Sequence, residues 1–102
     1  MNVKITESDR GLTYKIEMEG RNDKLLHVTE VFIDESEIED YAELAGVSAD
    51  LIKNLPADDD GDRVVYTVMF REAPGADEIR DRVCLCWSAA VVAANEMIAA
   101  LK

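Results

Sequence analysis

The sequence predicts an α+β fold, in which an antiparallel sheet of three to four strands carries a long C-terminal helix on one face. Three observations predict this class. Residues 12–19 alternate between apolar and polar side chains, as a half-buried strand does. Residues 34–46 place their apolar side chains at helical spacing instead. Residues 83–94, VCLCWSAAVVAA, contain one clearly polar residue, Ser88, and are typical of a buried helix.

The N-terminal third predicts three strands. Residues 3–7 and 12–19 flank the turn sequence SDRG and form a hairpin. The apolar side chains of the second strand share one face, and they are Leu12, Tyr14, Ile16 and Met18. After a second turn at residues 20–23, residues 25–33 are apolar on both faces in places. This third strand is therefore expected to be central in the sheet, or partly covered on both faces.

A helical segment follows. Ser36 and Glu39 have the spacing of a capping box, and Gly46 stands where the first helix should end. Ser48 is expected to cap a short second helix that stops at Pro56. The turn ADDDGD then leads into a fourth strand at residues 63–71. Residues 1–102 thus form one expected domain, with the acidic helical segment 34–62 inserted between strands three and four.

The last element is predicted as one helix from Asp77 to Leu101, which gives the order β-β-β-α-α-β-α. Its wide apolar face should pack on the sheet, and consists of Ile79, Val83, Cys86, Trp87, Ala90, Ala94, Met97 and Leu101. A second apolar stripe of Leu85, Ala89 and Val92 also needs a cover. Two interpretations are possible: the segment 34–55 folds over this stripe, or a second copy of the protein covers it at a dimer contact.

Charge is the strongest signal in the chain. The net charge is −11, which excludes affinity for DNA, RNA or anionic lipid, since each would repel the protein. Residues 34–62 hold eleven acidic residues and one base, Lys53, so nearly all of the imbalance belongs to this segment. The predicted partner-binding residues are Asp34, Glu35, Glu37, Glu39, Asp40, Glu43, Asp58, Asp59, Asp60 and Asp62. The alternative interpretation is that these acids only make the protein soluble.

Catalytic and metal-binding patterns are weak. An EF-hand frame with Gly61 at position 6 puts Pro56 and Thr67 at ligand positions 1 and 12, and both fail as ligands. Cys84 and Cys86 would point apart on a helix, so they are expected to be buried structural thiols. No nucleophile and base are marked out around the sole histidine, His27. We therefore expect no enzyme activity, no cofactor and no metal.

The expected location is the cytoplasm. No apolar run approaches the ~18–20 residues of a membrane span. The first ten residues, MNVKITESDR, lack the form of a signal peptide, and two cysteines in a helical context favour a reducing compartment.

These features support two hypotheses. In the first, the protein is a non-catalytic inhibitor or modulator whose acidic surface occupies a basic, nucleic-acid-binding site on another protein. Small phage-encoded antagonists of host defence, such as anti-CRISPR proteins, are similar in composition alone, being compact and acidic. In the second, it is an acidic homodimeric adaptor, chaperone or immunity protein that dimerises through its C-terminal helix.

Overall fold

The computed structural model describes residues 2–17, 24–73 and 75–101 and confirms the α+β class. In chain order the strands and helices are β1 (Asn2–Ser8), β2 (Gly11–Glu17), β3 (Lys24–Ile33), a 3₁₀ turn (Glu35–Glu37), α1 (Ile38–Ala45), α2 (Ala49–Lys53), β4 (Arg63–Arg71), β5 (Ile79–Cys84) and α3 (Trp87–Ala100). Met18 and the predicted turn at 20–23 lie outside the described residues.

Within the described residues, the sheet is a five-stranded antiparallel meander in the order β1-β2-β3-β4-β5. The predicted hairpin is confirmed, since β1 and β2 pair from Ser8 opposite Gly11 to Asn2 opposite Glu17. The third strand is central, as its pattern indicated. The register of β4 with β5 shifts between Val68 and Met69.

Two apolar cores lie on opposite faces of this sheet. The first packs α3 against the sheet, and its buried residues are Tyr14, Ile16, Leu26, Val28, Val68, Ala90, Ala93, Ala94 and Ile98. The second joins α1 and α2 to the sheet through Ile33, Ile38, Ala42, Ile52 and Val65. Successive side chains of a strand point to opposite faces, and Val65 belongs to the second core while Tyr66 packs against the first. The sheet is therefore a middle layer between α3 and the α1–α2 segment.

The predicted helix from Asp77 to Leu101 is wrong over residues 77–86. Residues 79–84 form β5, paired with β4, and α3 begins only at Trp87, after an extended Cys86 (φ −141°, ψ 157°). The apolar side chains of residues 79–84 fit either period, and hydrogen bonding to the open edge of β4 decides in favour of the strand. Among the described residues, no helix combines the length and apolar character needed to cross a bilayer.

The two predicted helices of this segment are present, but α1 begins only at Ile38, after the 3₁₀ turn, and α2 ends at Lys53, before the predicted stop at Pro56. At the start of the 3₁₀ turn, the Asp34 carboxylate accepts a hydrogen bond from the Ser36 backbone N–H at 3.2 Å. The capping box is wrong, because the N-cap residue of α1 is Glu37, not Ser36, and no side chain caps that helix. Gly46 ends α1 as predicted, in the left-handed conformation (φ 73°). Ser48 is the N-cap residue of α2, without a side-chain hydrogen bond to the helix.

Candidate protein-binding surface

The acidic segment 34–62, called the acidic lobe below, is anchored to the sheet by its own apolar side chains. Ile38 and Ile52 are fully buried, and Ala42 is nearly so. They pack with Ile33 and Val65 from β3 and β4, directly next to the points where the lobe leaves and rejoins the sheet. The lobe is therefore held in place by a core, and its acidic side chains are displayed on an ordered backbone.

Nearly all of the predicted partner-binding residues are exposed. Asp62 is half-buried, and the exposed ones are Asp34, Glu35, Glu37, Glu39, Asp40, Glu43, Asp58, Asp59 and Asp60. Lys53, the single base of the lobe, forms an ion pair with Glu39 at 2.9 Å. This contact lowers the pKa of Glu39 and raises that of Lys53, chiefly through the hydrogen bond between them. One base leaves most of the negative charge uncompensated.

Three carboxylates of the lobe converge in its last turn. One oxygen of each of Asp58, Asp60 and Asp62 lies within 4.8 Å of the others. Asp58 Oδ1 accepts hydrogen bonds from the backbone N–H groups of Asp60 (3.0 Å) and Asp62 (2.8 Å), which fixes the turn. Partial burial raises the pKa of Asp62, and its acidic neighbours add to the effect. Exposed acidic groups often cluster in this way without an ion, so the cluster counts here as a concentration of negative charge.

The structure separates the residues of the predicted dimer stripe. Leu85 precedes α3 and packs against the second core, so it does not share a helix face with the other two. Ala89 and Val92 do lie on α3, and both are exposed, Val92 by 54%. The segment 34–55 packs on the opposite face of the sheet, so it is not the cover of these two residues.

Several residues expected in the core of the last helix lie elsewhere. Ile79 is 68% exposed in β5, and Trp87 is 38% exposed at the first position of α3. The prediction of two buried thiols is wrong, because Cys84 is half-buried and Cys86 is exposed. Cys86 precedes the helix in extended conformation, and hydrogen bonds from Ser88 and from the Ala89 backbone lower the pKa of its thiol.

The sheet also assembles a hydroxyl, an imidazole and a carboxylate that the sequence did not reveal. Thr13 Oγ1 lies 2.9 Å from His27 Nδ1, and His27 Nε2 lies 2.8 Å from Glu78 Oε1. Thr13 belongs to β2, which pairs on both sides, so neighbouring backbone N–H groups are engaged in the sheet and do not form an oxyanion site. The chain of contacts links β2, β3 and the segment before β5. The sequence alone does not bring these three residues together, because their proximity depends on how the strands pair.

No known family model, curated protein or solved structure shows significant similarity to this chain. The fold and the surface together define an acidic α+β protein with a two-helix lobe on one face of its sheet. Its function is therefore inferred from its own residues.

Proposed function

We propose that the protein is a non-catalytic inhibitor or modulator that binds, through its acidic lobe, a basic nucleic-acid-binding surface of another protein. The observation that carries this proposal is the combination of exposed carboxylates with a buried anchor. Nine of the ten candidate residues are exposed, while Ile38 and Ile52 hold their backbone against the sheet. A phage anti-defence role, including one like that of anti-CRISPR proteins, belongs to this class.

The close spacing of acidic side chains in the lobe is unfavourable for folding, and this supports a binding role. Glu39 and Glu43 are one helical turn apart on α1, about 5–6 Å between Cβ atoms, and Lys53 offsets only the charge of Glu39. Asp62 is held near three other acids, which raises its pKa in addition to the effect of burial. Fixed negative charges at such spacing resemble a row of phosphates to a basic groove.

The lobe also differs in charge from the rest of the chain. Outside it, acidic and basic residues nearly balance, so a basic partner is directed to one end of the molecule. Binding governed by such charges has a fast, salt-dependent association rate. We expect the complex in the cytoplasm, where the exposed Cys86 thiol stays reduced.

The test is affinity capture from the native host with two charge-matched variants. One reverses Glu35, Glu43 and Asp59 of the lobe to lysine, and the other reverses Glu17, Asp77 and Glu96, which are exposed outside it. We expect a basic nucleic-acid-binding protein on the wild type and on the second variant, and its loss from the first. Equal retention by both variants, or equal loss from both, would leave the lobe as a solubility feature.

One observation favours a second candidate, a homodimer formed through α3. Val92 is exposed on that helix, beside a depression lined in part by Arg82 and Cys84. Sedimentation equilibrium tests this candidate directly. A wild-type dimer that becomes a folded monomer on Val92→Glu would support it, and a monomeric wild type would eliminate it.

A further inference from the structure

A cavity of about 290 Å³ lies on the other face of the sheet from the lobe, beside the first residue of α3. The residues of its lining that matter here are Glu7, Asp9, Arg10, Glu30, Tyr66 and Trp87. Because α3 begins at Trp87, the helix leaves this end of its sheet face uncovered. Phe32, two residues after Glu30 on β3, is 44% exposed.

The register of the sheet brings the acidic and aromatic residues of the cavity to one face. Glu7 of β1 stands opposite Leu12, which packs against the first core. Glu30 of β3 stands opposite Tyr66, which packs against the same core. Directly opposed residues of an antiparallel pair point to the same side, so both carboxylates lie on the face that α3 covers further along.

The turn between β1 and β2 is tied to this surface. The Glu30 backbone N–H donates a hydrogen bond to the Arg10 carbonyl at 3.0 Å. The Arg10 guanidinium lies over the Phe32 ring, with its carbon 5.6 Å from the ring centroid. Arg10, which lines the cavity, is therefore already in contact with an aromatic ring of its own chain.

We propose that the cavity receives the guanidinium group of an arginine side chain from the protein partner, an inference that rests on the proposed function. Three carboxylates against one base, Arg10, make the lining negative. The rings of Tyr66 and Trp87 supply aromatic surface, with their centroids 5.5 Å apart. Carboxylates bind guanidinium through charge-assisted hydrogen bonds, and aromatic rings attract it through their π faces.

The position of the cavity fits a partner that also contacts the lobe. The lobe leaves the sheet after Ile33 and returns at Arg63, at the end of the sheet where the β1–β2 turn and the start of α3 also lie. Lobe and cavity thus share one end of the molecule on opposite faces. A basic partner that closes on this end can place an arginine in the cavity while its other bases face the lobe.

The test needs no partner, because Trp87 is the only tryptophan of the chain and reports on the cavity. We would titrate N-acetyl-arginine amide, with N-acetyl-citrulline amide as the neutral isostere, and record tryptophan fluorescence and backbone amide chemical shifts. We expect a saturable response to the arginine compound with a dissociation constant on the order of millimolar, since one side chain offers few contacts. Its shifts should centre on the β1–β2 turn, Glu30 and Trp87.

Three variants sharpen the test. Glu30→Gln should weaken binding of the arginine compound by roughly threefold to tenfold. Arg10→Gln should strengthen it, because a competing positive charge is removed, and a damaged fold does not produce that gain. Glu17→Gln, the same change at an exposed residue outside both the lobe and the cavity, should leave the affinity unchanged.

Equal responses to the arginine and citrulline compounds, or shifts confined to the lobe, would overturn the proposal. So would an affinity that neither Glu30→Gln nor Arg10→Gln changes. Each of these results leaves the capture experiment on the lobe unaffected. Conversely, an arginine-selective cavity together with a lobe variant that keeps its partner would reject the proposed function alone.

Discussion

The Trp87 ring meets the Tyr66 ring edge to face, with centroids 5.5 Å apart and planes at 69°. This contact joins the first residue of α3 to β4 across the sheet face. It gives the tryptophan an aromatic neighbour without burying it, because the helix starts at that residue and covers the sheet only beyond it. The same arrangement leaves the cavity open beside the ring.

The ion pair between Lys53 and Glu39 should give the lobe a pH-dependent stability. We expect Lys53→Gln to lower the thermal midpoint, and the loss to shrink at high salt. The Glu39 part of the stabilisation is present above the ordinary pKa of 4.5 and is lost as pH falls through its lowered value. The Lys53 part is present below the ordinary pKa of 10.5 and is lost as pH rises through its raised value.

Melting curves of wild type and Lys53→Gln across pH measure this effect. Their difference should be largest between these limits and vanish at the acid end. Lys4→Gln removes an exposed lysine outside the lobe and serves as the control. A difference that is the same at all pH values would contradict the electrostatic origin.

Asp62 should destabilise the folded protein at neutral pH. Partial burial, followed by Asp58, Asp34 and Asp60, raises its pKa above the ordinary 3.8, so the folded state binds this proton more readily than the unfolded chain. The penalty is therefore present above the raised pKa and disappears as pH falls below the ordinary value. Asp62→Asn should increase the free energy of unfolding at about pH 7 and not at about pH 3.

Urea denaturation at the two pH values checks this prediction, with Asp59→Asn as a control at an exposed position of the same turn. The gain should be larger for Asp62→Asn. An equal gain from both substitutions would mean that the overall charge of the lobe, not the position of Asp62, sets the penalty.

Gly11 is required because two backbones approach closely at the start of β2. A Cβ atom there would stand 1.9 Å from the Val28 carbonyl oxygen, and both groups belong to paired strands. Gly11→Ala should therefore lower the unfolding free energy by about 3 kcal/mol, the upper end of the range for overpacking, because the clashing atoms are backbone and cannot rotate away. Gly61→Ala meets no atom but has a φ of +83°, and its cost of about 1 kcal/mol comes from the backbone alone. A Gly11→Ala variant as stable as Gly61→Ala would refute this explanation.

The two cysteines should differ in reactivity. Cys86 is exposed, and hydrogen bonds from the Ser88 hydroxyl and the Ala89 backbone lower the pKa of its thiol. Burial raises the pKa of Cys84. Iodoacetamide should thus modify Cys86 faster by roughly tenfold or more near neutral pH, since the thiolate is the nucleophile. Peptide mass spectrometry gives both rates, and Ser88→Ala should slow only Cys86; equal rates would contradict the prediction.

The hairpin, the central third strand and the helical lobe could be predicted because each rests on a local pattern. Tyr14 and Ile16 are buried at alternate positions of β2, and Gly46 ends α1 with the left-handed backbone expected of it. β5 was missed because residues 79–84 fit two periods, and its identity depends on pairing with β4. Of the candidate surface, the sequence located the charges but not their anchor, because the packing of Ile38 and Ile52 on the sheet depends on tertiary contacts.

The sequence by itself determined where the charge lies and which side of each regular element is apolar, since both follow from residue type and local periodicity. Only the tertiary structure decided that the lobe and α3 cover opposite faces of the sheet, that Leu85 joins the second core, and that Trp87 remains partly exposed. The contact of His27 with Thr13 and Glu78 was likewise decided there. The physical reason is that strand pairing and the starting point of α3 arise from contacts between residues distant in the chain, which local patterns do not encode.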